Sequence, residues 1–251
     1  MTAIWLLIFL FGAAVGSFLN VCAWRIPQKE PFILGRSLCP QCKHPLGARD
    51  LIPLFSFICL QGRCRYCHEK ISLRYPLVEL ISGFLFVAVV LVHGFSFLAV
   101  VNLVLVGILL TAALIDLEWL YVPNRLVFFG LICGTILSFR FGVPIGALVF
   151  GAFMGTVPML AIYLVSRGGM GAGDVKLSGM IGVFLGWRLT ALALFLSFLS
   201  GAVVGMGLVI IGKKGRKDAI PFVPFLAFGA VVASLWGIDI INWYLTFSGL
   251  K

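Results

Sequence analysis

The chain of 251 residues is 61% hydrophobic and 11% charged, with a mean hydropathy of +1.13 and a formal net charge of +10. Soluble domains hold roughly 25% charged residues, so this composition excludes that class and reads as a polytopic membrane protein. The positive balance does not imply nucleic-acid binding, since no basic, aromatic-interleaved soluble domain is present; it fits attraction to anionic lipid headgroups.

A hydrocarbon core of ~30 Å needs roughly 20 apolar residues to cross it, and uncharged runs of that order recur along the chain. The first is Thr2–Trp24, which lacks a basic leading region and ends in Asn20-Val-Cys-Ala-Trp-Arg25 without a small-x-small cleavage pattern. It therefore reads as a retained helix and not a cleaved signal. Leu80–Ile115 runs 36 residues without a formal charge, too long for one span, and His93-Gly94 near its middle is the natural hairpin point. Leu126–Phe139, Phe141–Ser166, Leu177–Trp187, Leu189–Gly212 and Ala219–Ile238 bring the expected number of helices to eight. Two of these runs, of 14 and 11 residues, would cover only about 21 and 17 Å at ~1.5 Å per residue, which implies local thinning of the bilayer or helices bordering a wet cleft.

The expected fold is all-α: a polytopic membrane helical bundle of about eight transmembrane helices, with a small cytoplasmic zinc-ribbon-like loop domain. The expected divisions are residues 1–24 as a first transmembrane helix, 25–75 as a zinc-binding loop domain and 76–251 as a membrane bundle. With both termini outside, every Lys and Arg except Arg140, Arg188 and Lys251 falls on the inner side, the asymmetry that the positive-inside rule associates with cytoplasmic loops.

Residues Arg25 to Tyr75 hold most of the loop charge and two cysteine pairs, Cys39-Pro-Gln-Cys42 and Cys64-Arg-Tyr-Cys67. Paired C-x-x-C elements let four thiolates converge on one zinc ion at ~2.3 Å. Disulfides are the rival, and the reducing side of the membrane disfavours them. With four protein ligands the site would be closed and structural, stapling a loop too short to build its own core. His44 and His68 follow ligand cysteines and read as solvated loop residues, while Cys22, Cys59 and Cys133 lack partner spacing and read as small apolar residues.

Two aspartates stand where an apolar chain would least keep them. Asp116 closes the run Leu80–Ile115, and Asp174 lies in Gly168-Gly-Met-Gly-Ala-Gly-Asp174-Val-Lys176. A charged side chain at mid-bilayer costs roughly 2.5–3.5 kcal/mol on insertion scales, so such residues usually line a polar cavity or carry function. Two carboxylates brought together cannot both ionise cheaply; one holds a proton while the other takes one from water, the division of labour of general acid–base peptide hydrolysis. No Gly-x-Ser-x-Gly elbow or His-Glu-x-x-His helix competes, and none of the three histidines is near either aspartate in sequence. Gly171 and Gly173 would permit positive φ and close approach of a substrate strand or a helix. The plainer readings are a solvated loop aspartate at 174, and at 116 a helix end or an ion pair with Arg125 or Lys176.

The ordered motifs resemble a known family. Gly16-Ser-Phe-Leu-Asn20-Val, Arg25-Ile-Pro27, both cysteine pairs, Arg74-Tyr-Pro-Leu-Val-Glu79, Leu114-Ile-Asp116, Gly169-Met-Gly-Ala-Gly-Asp174-Val-Lys176-Leu and Ile220-Pro-Phe-Val-Pro-Phe-Leu226 together resemble the bacterial type IV prepilin peptidases. These are GxGD-type membrane aspartic proteases that trim prepilins and methylate the product. The resemblance implies that Asp116 and Asp174 are the catalytic aspartates and that Cys39, Cys42, Cys64 and Cys67 bind zinc. It places Gly62 and Arg63 in the loop associated with methyl transfer, although a Gly-basic step there equally suits a knuckle turn. It also implies S-adenosylmethionine as methyl donor, prepilins or pseudopilins of a type IV pilus or type II secretion system as substrates, and a multi-pass location in the bacterial inner membrane with the active site on the cytoplasmic side. No glycine-rich βαβ fingerprint for a nucleoside cofactor is present. Two departures stand out: Val122-Pro-Asn124 replaces a common Ile-Pro-Asp, and Phe222-Val-Pro224 a common Phe-Gly-Pro. Glu118 is the competing first acid, and motif position favours Asp116. The alternatives of other classes are a proton-coupled transporter using the two aspartates, though no internal repeat relates the halves, and a membrane assembly scaffold whose zinc loop docks a partner.

Overall fold

The computed structural model describes residues 2–31, 35–166, 169–212, 215 and 220–249. Of the basic residues that set the expected orientation, Arg167, Lys213, Lys214, Arg216, Lys217 and Lys251 lie outside these. The elements are α1 (Thr2–Arg25), α2 (Phe55–Cys59), α3 (Arg74–His93), α4 (Phe97–Trp119), α5 (Asn124–Arg140), α6 (Ile145–Ser166), α7 (Ala172–Ile210) and α8 (Val223–Phe247). No strand occurs among the described residues, only the isolated bridges Leu38 to Pro45 and Arg63 to Lys70. Six helices, α1, α3, α4, α6, α7 and α8, are long and apolar enough to cross a membrane.

The expected hairpin at His93-Gly94 is present. Gly94 ends α3 at φ 62°, ψ −164°, its N–H bonded to the Val90 carbonyl at 2.9 Å, a backbone state open to glycine. The runs Leu177–Trp187 and Leu189–Gly212 fall, as expected, in two helices, the segments of α7 before and after Gly186, where φ 70° and ψ 171° break the helix and the chain reverses. The first segment runs antiparallel to α6, with Gly182 on Gly151, and the second antiparallel to α8, with Ala193 on Gly229 and Leu189 on Gly237. The first half starts at Ala172, so it reaches about 21 Å and not the 17 Å that its uncharged stretch suggests. The charges of Asp174 and Lys176 interrupt hydropathy but not the backbone hydrogen bonding that defines a helix. α5 lengthens in the same way, to 17 residues.

The chain forms two compact units, residues 1–99 and 100–251. In the first, α1 and α3 pack antiparallel: Gly12 lies on Gly83 and Phe86, and Gly16 on Glu79 and Ser82, in each case without space for a Cβ. In the second, Gly151 and Gly155 of α6 sit on the backbone of Gly182 and Ser178 of α7, and Gly229 of α8 sits on Ala193 and Ser197 of α7. Lipid tails are as apolar as leucine, so helices in a bilayer gain little by hiding apolar surface from one another. They gain from close backbone approach, which small residues allow, and from polar contacts such as the Ser178 hydroxyl donating to the Gly155 carbonyl at 2.9 Å. This tight α6–α7–α8 packing holds the start of α7 in a fixed place.

Candidate active site and cysteine cluster

Asp116 lies in the last turn of α4 and is 5% exposed; Asp174 lies in the first turn of α7 and is 7% exposed. The competing acid Glu118 is exposed, which separates it from the pair. The start of α8 comes to Asp116: the Val223 N–H donates to its carboxylate at 3.0 Å, joined by the Phe222 N–H. Asp174 folds back onto its own helix start, accepting from the Gly171 N–H at 3.3 Å, the backward half of a capping box whose glycine N-cap has no side chain to return the bond. Each carboxylate therefore sits at a helix N-terminus, where unpaired N–H groups and the helix dipole favour negative charge. The two are close enough for the charge of Asp116 to act on Asp174. Among the described residues neither forms an ion pair, so the plainer reading of a carboxylate paired to Arg125 or Lys176 fails. Lys176 donates instead to Asn124 Oδ1 at 3.0 Å, a service for the Asn that stands in place of the common Asp.

The glycines beside Asp174 act otherwise than expected. Gly171 has φ −76° and neither Gly171 nor Gly173 adopts positive φ. What holds is close approach, at Gly173: a Cβ there would meet Val122 Cβ at 2.9 Å and its backbone N at 3.2 Å. A bare backbone at 173 lets the loop after α4 lie against the first turn of α7.

Sequence reading missed the α8 N-terminus as the partner of Asp116. Pro224, at the second position of α8, is the signal that marked it, since proline is favoured in the first helical turn. It also explains why Val223 tolerates the departure from Gly: the bond to Asp116 uses the backbone N–H, which every residue but proline provides. Just past Asp174, a groove of about 640 Å³ opens between α5, α6 and α7, lined by Phe128, Leu131, Thr156, Val175, Lys176 and Met180 among others.

The cysteine loop, in the other unit, is built from two matching knuckles. The Cys39 N–H bonds the His44 carbonyl at 3.0 Å and the Lys43 N–H the Cys39 carbonyl at 2.9 Å; the Cys64 N–H bonds the Glu69 carbonyl at 2.8 Å and the His68 N–H the Cys64 carbonyl at 3.0 Å. Lys43 and His68 take the same positive φ, 57° and 58°. Asp50 ties the halves together, accepting from Arg65 Nε at 2.7 Å, the Tyr66 hydroxyl at 3.1 Å and the Gly47 N–H at 3.0 Å. The Arg65 hydrogen bond above all holds the Asp50 carboxyl below the usual range.

The four cysteine sulfurs all lie within 4.8 Å of one another, with Cys39 and Cys67 3.9 Å apart and all seven cysteines unpaired. Tetrahedral Zn–S bonds of ~2.3 Å would set sulfurs about 3.8 Å apart, so the cluster fits one such ion. The crowded thiols differ in acidity. Cys39 comes down to about 7, burial opposing the Cys42 and Gln41 backbone N–H groups that hold its thiolate. Cys67, against the Glu69 N–H that favours its thiolate, is pushed up to about 12 by burial and the neighbouring thiols. His44 stacks on Tyr66 with ring centroids 3.7 Å apart, and neither it nor His68 joins the ligand group. Gly62, at φ 69° with its carbonyl accepting from the Ile71 N–H at 2.7 Å, makes the turn into the second knuckle; Arg63 is exposed beside it.

Comparison with known proteins gives two family matches: the bacterial peptidase A24 N-terminal domain over residues 10–93, and the type IV leader peptidase family over residues 103–206. Relatives named prepilin leader peptidase/N-methyltransferase include one from Aeromonas salmonicida, 37% identical over 96% of this chain and 93% of its own. Another, from Bacillus subtilis, is 34% identical over 95% of this chain and 97% of its own. A third, from Pseudomonas aeruginosa, is 34% identical over 96% and 93%. No solved structure matches the chain. The transporter and scaffold alternatives find no support among these relatives.

The capping contact yields a prediction for stability. Asp116→Ala removes the acceptor at the start of α8 and should lower stability by about 1 kcal/mol, whereas Asp116→Asn keeps an oxygen there and should unfold like the wild type. Thermal unfolding of both variants in detergent measures the difference.

Proposed function

Because the chain belongs to the type IV leader peptidase family, we propose that it cleaves the leader from type IV prepilins or pseudopilins at the cytoplasmic face of the inner membrane and N-methylates the new N-terminal residue. The observation that carries this reading is the meeting of Asp116 and Asp174, buried carboxylates from different helices, brought together where the first turn of α7 at Gly173 lies on Val122 just after α4. One carboxylate takes a proton from water, whose oxygen attacks the scissile carbonyl; the other, protonated, gives its proton to the leaving amine as the peptide C–N bond breaks. Backbone N–H groups at two helix starts stabilise the ionised member without supplying a competing acid. The groove past Asp174 offers an apolar segment a place beside the dyad.

The end of α4 and the starts of α7 and α8 meet at one end of their unit, because the chain of α7 reverses at Gly186 and returns to the start of α8. By the positive-inside rule, the distribution of basic residues along the sequence favours a cytoplasmic position for that end, with both termini outside. Zinc held by Cys39, Cys42, Cys64 and Cys67 would be a closed structural ion, holding the two knuckles together. When bound, S-adenosylmethionine supplies the methyl group. Gly62 is occupied by its turn, so the case for a methyl-transfer residue in this loop rests on the exposed Arg63, whose guanidinium suits a carboxylate on cofactor or substrate.

Three outcomes test these assignments. Asp116→Asn and Asp174→Asn should each lower cleavage of a prepilin by purified protein at least about 10²-fold, with Glu118→Gln active as control; near wild-type rates in either Asn variant would remove the dyad from the mechanism. Elemental analysis should find one zinc per chain, lost in Cys39→Ser and Cys67→Ser, with cleavage only partly dependent on the metal because it supplies neither acid nor base. Arg63→Ala should lower methylation more than cleavage when both are measured on one preparation, and an equal loss of the two would reduce Arg63 to a packing role.

A further inference from the structure

Between the knuckles the chain runs Leu51-Ile-Pro-Leu-Phe-Ser-Phe-Ile-Cys-Leu60, ten residues without a charge inside an otherwise polar loop. A loop in water gains nothing from such a run unless it buries it. Here much of it is not buried: Ile52 is 46% exposed, Phe55 62% and Ile58 71%. Phe55 and Ile58, three apart in α2, share a helical face, and Ile52 lies in the bend just before it. The opposite face turns to protein, where Ser56 is buried with its hydroxyl on the Arg49 carbonyl at 2.8 Å, and Phe57 lies under Gly62.

The segment is also pinned at a definite depth. The Leu54 N–H donates at 2.8 Å to Glu79 Oε2, a carboxylate 7% exposed within α3 that also bonds Ser17 of α1. Glu79 is five residues into the membrane-crossing helix that begins at Arg74, or about 7.5 Å along its axis. Ser17 is eight residues from the end of α1 at Arg25, or about 12 Å. To reach this point the backbone makes a tight turn: the Phe55 N–H bonds the Pro53 carbonyl at 2.6 Å, and Leu54 takes φ 62°, ψ −48°. That three-residue turn is rare and costly for a bulky residue. It persists because the Glu79 bond holds it, and it points Phe55 away from the clamp.

We propose that the Phe55-Ile58 face of α2, with Ile52 beside it, inserts into the interfacial layer of the lipid bilayer, so that the cysteine loop is seated in the membrane surface through α2 and is not a free cytoplasmic domain. Lipid is the occupant that the depth selects. An apolar helical face lying in the interface is buried about 5–10 Å into the headgroup and acyl boundary. Glu79 holds Leu54 beside the first turns of α3, a helix long and apolar enough to cross a membrane, and the neighbouring Leu73 and Leu77 of the α3 entry are likewise 73% and 56% exposed. Glu79 is then a positioning residue that sets the depth of the loop. Its carboxylate is bonded within the protein, so it reaches that depth as a clamp and not as an exposed charge.

The test uses the full-length chain in lipid nanodiscs. Trifluoromethyl-phenylalanine is placed singly at Phe55, at Ile58 and, as a water-facing control, at Lys70, with prepilin cleavage checking that each protein is folded. Dissolved oxygen, which concentrates in lipid, should relax the fluorine at 55 and 58 several-fold more than a water-soluble nickel chelate, with the order reversed at 70. Stronger relaxation by the chelate at 55 and 58 would put the face in water and overturn the proposal. Protection from both reagents would show that protein covers it and overturn the proposal as well. A further variant, Glu79→Ala, should shift the oxygen-to-nickel ratio at Phe55 toward water if the clamp sets the depth.

Discussion

A buried carboxylate in a membrane protein needs donors, and in this molecule helix starts deliver them. Asp116 is held by the first N–H groups of α8 and Asp174 by the N–H at the start of α7. These donors would be unsatisfied at any helix N-terminus, so one arrangement meets two needs at once: the helix ends are capped and the acids are solvated without water. Removing a polar group from water without such a partner costs several kcal/mol, and Lys or Arg partners would lock both acids in the ionised form. Backbone donors leave one of them able to hold a proton, as the proposed acid–base hydrolysis would need.

The geometry of this centre is set by helix packing far from it. Gly151, Gly155 and Gly182 bring the backbones of α6 and α7 into contact, and Gly229 does the same for α7 and α8. A side chain at these positions would push the helices apart and move the starts of α7 and α8 relative to the end of α4. Gly173 extends the same logic to the site, letting the segment at Val122 lie on the first turn of α7. The glycines around Asp174 thus serve proximity, and the positive-φ glycines lie elsewhere, at Gly62, Gly94 and Gly186 among others.

The cysteine loop solves a different problem. Its two knuckles repeat one hydrogen-bond pattern, and Asp50 joins them through Arg65 and Tyr66. A segment of this size buries too little apolar surface to fold alone. It has three supports: the sulfur cluster, whose spacing fits one ion, the clamp from Leu54 to Glu79 of α3, and the apolar turn around α2. The hydropathy of the whole chain, read at the scale of spans, hides this last feature because ten residues are too few to cross a bilayer.

Sequence alone determined the features that depend on composition and spacing. The membrane class, the break at Gly94, the short span that became α5 and the cysteine tetrad follow from residue type and order, because bilayer thickness, helix rise and ligand number are fixed by chemistry common to all chains; the preference for Asp116 over Glu118 rests on motif position in the family. The family resemblance was legible for the same reason, as ordered motifs along nearly the whole length. The tertiary structure decided what depends on contacts distant in sequence. Asp116 is bonded to Val223 and Phe222, Lys176 to Asn124 and Glu79 to Leu54. In the first two of these contacts and in the Glu79 clamp, at least one partner is a backbone group or an ordinary polar side chain whose identity carries no signal of its own. A backbone N–H is present at every residue but proline, so only the folded chain can say which one a carboxylate will meet.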